Sequence, residues 1–272
     1  MPMLLRRRRA LLIGLAAAGC GLPLRAQAFD HGYAAWGALL ARHVRWLPDG
    51  HQSRVAYAGM AADRAALKSV LDAFSAVTPA QFDAFGKAQQ MAFLINAYNA
   101  FTVELILTEY PKLKSIKDLG SLIASPWKKR FFSLLGEPRY LDWIEHEQLR
   151  PRYADPRIHT AIVCASIGCP ALRPEAFTAE KLDAQLEDGM RRFLGDRTRN
   201  RAGAGRLEVS PIFKWFREDF EKGHQGFNRL EDVFARYARQ LSDDPAVQEQ
   251  LRAGKLTPTF LDYDWSLNDA GR

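Results

Sequence analysis

Residues 80–111 read AQFDAFGKAQQMAFLINAYNAFTVELILTEYP, and the fold turns on how this stretch is interpreted. Ahead of it, Thr78-Pro79 puts a hydroxyl at a helix N-cap and proline at the first helical position, a favoured way to open a helix. Pro111 closes the run, because its ring fixes φ and removes a backbone donor. From 91 to 107 the residues are apolar on nearly every side. A helix that is apolar all round has to be buried, so the pattern predicts a central helix surrounded by other elements. Residues 33–46 and 62–77 carry amphipathic helical patterns that could cover it.

Further along, FFSLLGEPRYL (131–141) reads as two short strands joined through Gly136-Glu137. Asp142-Trp143-Ile144-Glu145 has the spacing of a capping box that opens a short helix through Arg150. IHTAIVC (158–164) is a β-branched run of strand length. Thr178 opens a helix to about Leu194, and 206–209 is a short strand. Ser210-Pro211 repeats the cap-and-proline start for IFKWFREDF, and another helix covers about 230–241. The end, TPTFLDYDWSLN (257–268), reads as a strand running into an ordered tail, since Tyr263 and Trp265 are costly to expose. Helices outnumber short strands. The expectation is an α+β fold: a single, mostly helical domain over 29–272, with a long buried central helix and a small sheet of short strands.

The formal charge of +7 would suggest a polyanion partner, but it is concentrated at one end. Residues 1–28 hold five arginines and no acid, and the rest of the chain has 33 basic against 31 acidic residues. A nearly neutral remainder argues against nucleic acid as a partner. Those first residues have the three parts of a secretory signal. Arg6 to Arg9 form the charged region, residues 10–19 the apolar region, and Ala26-Gln27-Ala28 a small-residue cleavage pattern that leaves Phe29 first. The arginine run resembles a twin-arginine export signal. The expected location is periplasmic or secreted. Lipidation at Cys20 is the minority alternative, because Ala17 stands three residues before it where a leucine is usual, and only that alternative would bring in a membrane. The apolar run is too short to span a bilayer.

Five blocks then point to one family. NAYNA (96–100), LDWIEHEQLR (141–150), DPRIHTAIVCASIGCPALRPEAF (155–177), SPIFKWFREDF (210–220) and DYDWSLN (262–268) occur in this order. They resemble the bacterial and plant domain-of-unknown-function family 547, over roughly residues 91–268. The resemblance implies a shared fold and assigns no biochemistry. It also implies that plant members carry serine at the second cysteine, so a bridge between Cys164 and Cys169 would not be a requirement of the fold.

Outside the first 28 residues Cys164 and Cys169 are the only cysteines. One reading makes one of them a catalytic or redox thiol, which needs a histidine beside it and a polar group to orient the imidazole. His159 and His146 are the candidate bases, and Asn96, Asn99 and Glu145 the candidate orienting groups. Cys164 sits where the expected strand gives way to Ala165-Ser166-Ile167-Gly168, a position that suits a nucleophile. Residues five apart on a strand point to opposite faces, so His159 would need a twist or bulge to meet Cys164. A second reading pairs Cys164 with Cys169 in a disulfide, and a third buries both as inert thiols. Zinc held by His146, His159, Cys164 and Cys169 has suitable ligand types but no common finger spacing, and no metal is expected. Ser166, Cys169, Arg173 and Lys214 complete the candidate cleft as binding residues.

Each residue also has a plain structural account. Asn96 and Asn99, three apart on an apolar helix, share one face and could tie a loop to it. Glu145 fits the third position of its capping box, and Phe213, Trp215, Phe216 and Phe220 fit a core-facing helix. The chain lacks GxxxxGK, GxGxxG, HExxH and GxSxG signatures, so no cofactor is expected. The sequence thus supports an exported Cys-His hydrolase or acyl transferase acting on an amide or ester. The alternative is a non-catalytic envelope module that binds a small molecule, peptide or glycan through the same cleft.

Overall fold

A computed structural model describes residues 28–121, 124–203 and 205–271; Cys20 and, but for Ala28, the expected export signal lie outside them. The fold is α+β, with helices dominating and, among the described residues, three small sheets of two or three strands.

At its centre lies α5 (Lys87–Leu107), preceded by α1 (Ala34–His43), α2 (Tyr57–Ala62), α3 (Arg64–Ser75) and α4 (Pro79–Ala84). Every side chain of α5 from 91 to 107 is buried except Glu104, which reaches out to Arg64 at 2.6 Å. The run expected to be one helix from Thr78 is two. Thr78 caps α4 through Gln81, but the chain turns extended at Phe85-Gly86, where the Gln89 side chain accepts the Gly86 N–H at 3.0 Å. Glycine has the lowest helical propensity after proline, and a second cap completes the break. Aromatic rings bind the neighbours to α5: Phe74 of α3 meets Phe93 edge-on at 5.3 Å, and Phe132 stacks on Phe101 at 3.9 Å. Phe132 belongs to the expected hairpin, β3 (Phe132–Leu134) with β4 (Glu137–Arg139), which follows the pair β1 (Val44–Trp46) and β2 (Ser53–Val55). Its turn is Leu135-Gly136, both at positive φ, as a tight hairpin matched to strand twist requires.

Two expectations fail next to this core. Residues 143–149 form a π-helical segment with no side-chain cap from Asp142, so Glu145 does not serve a capping box. Residues 158–164 are not a strand. Asp155 caps the Arg157 N–H at 3.0 Å and Pro156 takes the first position of a 3-10 helix (Pro156–Thr160), from which the chain continues without strand pairing to Cys164. A local cap and proline outweigh the β-branched composition.

The amides on α5 hold this segment in place. Asn99 donates to the Ala161 carbonyl at 2.9 Å and accepts from the Val163 N–H at 3.0 Å. Asn96 does the same with Phe177, at 2.7 and 3.0 Å. Neither orients an imidazole; both are brackets between helix and backbone. Asn99→Leu leaves two buried backbone groups unpaired at about 1–3 kcal/mol each, and a drop in melting temperature of roughly 5–15 °C is expected by calorimetry.

A second apolar cluster fills the rest of the chain. After α6 (Arg150–Arg152), α7 (Leu182–Gly195) gives Leu186 to the first core and Met190 and Phe193 to the second. Its start lies four residues beyond Thr178, the residue expected to open it. β5 (Arg201–Gly203) pairs antiparallel with β6 (Arg206–Val209), which pairs in parallel with β7 (Pro258–Phe260). Between them come α8 (Ile212–Trp215), α9 (Arg217–Phe220), α10 (Leu230–Arg236), α11 (Ala238–Leu241) and α12 (Pro245–Arg252). The expected IFKWFREDF helix breaks at Phe216, and α12, capped by Asp244, was not anticipated. The tail after β7 returns to the first core. Gly168 N–H binds the Asp264 carbonyl at 2.8 Å, Ile167 N–H that of Ser266 at 2.8 Å, and Asn268 N–H that of Ala165 at 3.0 Å. A Cβ on Gly168 would stand 3.0 Å from Asp264 backbone atoms, so glycine lets tail and loop approach this closely.

Candidate functional site

Residues of α5, the π-helical segment, the 3-10 helix and the loop after it, α8 with Phe216, and the tail line a cavity of about 200 Å³. Cys164, Cys169, His159, His146 and Glu145 line it together, as the sequence suggested, and Asp142 joins them. His159 and Cys164 reach one cavity because no strand holds them on opposite faces.

Cys164 lies next to Ala165, which is buried at φ +63°. Left-handed backbone costs a Cβ-bearing residue about 1–2 kcal/mol, and such strain concentrates at functional sites. The Cys164 sulfur lies 3.0 Å from Ser166 Oγ and 3.1 Å from Tyr263 Oη, and those oxygens are 3.0 Å apart. Cys169 Sγ accepts the Cys164 N–H at 3.0 Å, and both residues are free thiols rather than a disulfide. The Cys169 thiol stabilises the Cys164 thiolate most, against burial, with Ser166 and Tyr263 adding hydrogen bonds. Together they bring the Cys164 thiol down to about 6. Burial and its anionic neighbour push Cys169 well up. The pair therefore holds one proton on Cys169 and the charge on Cys164.

His159 is 3 % exposed and its ring lies flat on Phe216, with centroids 3.8 Å apart. Its Nε2 is 2.9 Å from Asp219 Oδ2, while Nδ1 makes no hydrogen bond and faces Glu145 Oε1 at 3.8 Å. Burial favours the neutral imidazole over the opposing pull of Asp219. Burial also opposes ionisation of Asp219, but hydrogen bonds from His159 and Arg150 hold its carboxyl well below the usual range. An ionised Asp219 accepts only, so Nε2 carries the proton and Nδ1 presents a lone pair. Glu145 is pushed up to about 8 by burial, with the Asp142 charge adding to it. His146 is lowered by burial, and its Nδ1 is bonded to Arg150 at 2.9 Å.

Asp219 thus occupies the orienting role expected of Asn96 or Asn99. On sequence it reads equally as part of a solvated helix face, and only the break at Phe216 turns it inward. Tyr263 and the cavity's aromatic mouth were also missed. Trp265 packs on Tyr263 at 4.4 Å, stacks on Trp215 at 5.8 Å and meets Trp127 edge-on at 5.9 Å. Trp215 is 47 % exposed, against the core role its helical spacing suggested, since α8 ends there. Two candidate binding residues lie elsewhere. Arg173 is engaged by Glu175 at 2.7 Å and Asp188 at 2.5 Å, and Lys214 is exposed. Ser166 and Cys169 are at the thiol. Among the described residues no group of three or more His, Cys, Asp or Glu is arranged to hold a metal ion.

Residues 82–194 match the model of a family described as protein of unknown function, DUF547. The match contains Glu145, His159, Cys164 and Cys169, whereas Asp219 and Tyr263 lie beyond it. No curated protein and no solved structure matches the chain.

Proposed function

We propose, for a chain whose residues 82–194 match the DUF547 family model, that the cavity carries out thiol-dependent acyl transfer or hydrolysis at an amide or ester. One observation carries this reading: Cys164, its sulfur held by Ser166 and Tyr263, lines the same cavity as an Asp219-anchored His159. Nucleophile, base and orienting group are what covalent acyl transfer needs. The Cys164 thiolate attacks the carbonyl carbon, forming a C–S bond as the carbonyl electrons move to oxygen. Tyr263 Oη–H, 3.1 Å from the sulfur and in the cavity lining, is the donor for that oxygen. Collapse breaks the bond to the leaving group, which takes the proton of the Glu145 carboxyl. Water or another acceptor then gives a proton to His159 Nδ1 and attacks the thioester. The C–S bond breaks, Cys164 returns as thiolate, and the proton passes from His159 to Glu145.

The exported location read from Arg6–Arg9 and Ala26–Ala28 belongs to this proposal. Intact mass of the protein recovered from an envelope fraction tests both parts at once. A chain starting at Phe29 supports export. Brief exposure to an activated aryl ester is expected to add one acyl group, absent in Cys164→Ala. Alkylation of Cys164 is expected to rise through an inflection near pH 6, below the usual value of about 8.5. The binding-module reading is favoured by the exposed Trp215 plane, and it expects no acyl adduct and an ordinary thiol profile.

A further inference from the structure

The cavity is lined by two carboxyls, those of Glu145 and Asp142, alongside the neutral donors of Tyr98, Tyr263 and the tryptophan indoles. His159 Nδ1 is an acceptor with no partner, on a side chain 3 % exposed, and Glu145 Oε1 stands 3.8 Å from it. Asp142 lines the same space, and its carboxyl lies 3.9 Å from the His146 ring. Tyr98, Trp127 and Phe216 add aromatic surface. Among the described residues that line it there is no lysine or arginine. Arg150 stands nearby, but its guanidinium is bound to Asp219 at 2.5 and 3.2 Å, and Lys117 covers Trp265 at 4.1 Å.

We propose that the cavity binds a small primary amine, held as ammonium by Glu145, Asp142 and the aromatic rings, and that this amine is the acyl acceptor of the reaction. The inference rests on the acyl-transfer reading for its second half only. Two carboxyls with no lysine or arginine in the lining favour a cationic ligand, and π faces attract cations once water is removed. The buried Glu145 carboxyl ionises as an ammonium group enters, because an adjacent opposite charge favours the charged form. Size sets the class. A cavity of about 150 Å³ holds benzene, so about 200 Å³ takes one ring with a short amine arm. The ammonium first gives one proton to the Glu145 carboxylate that acylation has left ionised; His159 Nδ1 then takes a second, which it later releases to solvent, from the attacking neutral amine. Its nitrogen forms the C–N bond of a new amide, and the C–S bond breaks to return the Cys164 thiolate.

Quenching of tryptophan fluorescence at pH 7 tests the binding directly, with benzylammonium chloride, benzyl alcohol and sodium benzoate as probes. Benzylammonium is expected to bind at least tenfold more tightly than benzyl alcohol, with benzoate weakest. Glu145→Gln is expected to lower benzylammonium affinity about fivefold and to leave benzyl alcohol unchanged, which a merely unfolded variant would not do. Equal binding of amine and alcohol, or an unchanged amine affinity in Glu145→Gln, overturns the amine site. Cys164→Ala separates this inference from the one beneath it. It is expected to bind benzylammonium within a few-fold of the parent, having lost the thiolate charge but not Glu145, and a retained preference for benzylammonium over benzyl alcohol supports the amine site even where the parent forms no acyl adduct. Formation of an N-benzyl amide from aryl ester and benzylamine by the parent supports the acceptor role, whereas hydrolysis alone at saturating amine overturns it.

Discussion

Asp219→Asn is expected to lower turnover of an activated ester by about 10²–10⁴-fold, chiefly in kcat. Asp219 accepts the Nε2–H of His159 at 2.9 Å and so leaves Nδ1 as the lone pair that faces Glu145 at 3.8 Å. An asparagine can present its NH₂ group there, which favours the opposite tautomer and puts a proton on Nδ1. The imidazole keeps its place on Phe216 but cannot accept a proton from water or amine. Asp219 acts through His159 and is a positioning residue, so the effect belongs to deacylation more than to acylation. Rapid quench should show the acyl-enzyme accumulating, with the pH inflection of Cys164 alkylation unmoved. Turnover within threefold of the parent would remove His159 from the mechanism.

The second large effect is on stability. Glu145 has a folded value of about 8, raised by burial above an unfolded value of about 4.3. A group raised in this direction contributes its full stability below the unfolded value and loses it as pH rises through the folded one. Between about pH 4.5 and 8 the native state keeps a proton that the unfolded chain has released. Keeping it weakens the fold progressively, by about 3–5 kcal/mol at pH 8. Glu145→Gln cannot lose a proton. Relative to the parent it is expected to gain stability across this window and to match it near pH 4. The lowered value of His159 works in the opposite direction below about pH 6.5, where the unfolded chain gains a proton. It is common to both proteins and cancels in the difference. Urea denaturation of the pair at pH 4.5, 6 and 8 measures this, and a constant difference across the three would mean that Glu145 is ionised in the fold.

Much of the site was legible where chemistry is local. Cys164 and His159 stood out as scarce reactive residue types, and both line the cavity. Asn96 and Asn99 were equally visible, but which backbone groups they bracket depends on residues more than sixty positions away. Glu145 matched a capping box in spacing. A π-helical turn moved it inward, since a cap competes with tertiary packing for the same side chain. Asp219 carried only an ambiguous local signal: on a helix with Lys214 it could point to a cleft, and a solvated face explains it equally well. Charge on a short helix reads as solvated until a neighbour such as His159 is known.

By itself the sequence determined the α+β class, the buried central helix, the hairpin at 132–139 and the ordered tail. Each follows from apolar periodicity, proline and glycine placement or aromatic content, which act over a few residues. Tertiary structure alone decided that 158–164 is no strand, that Asp219 anchors His159, and that Tyr263 returns from the tail to the Cys164 thiol. Those outcomes depend on contacts between distant segments. Burial sets the protonation of Glu145, and proximity to Cys169, Ser166 and Tyr263 sets that of Cys164.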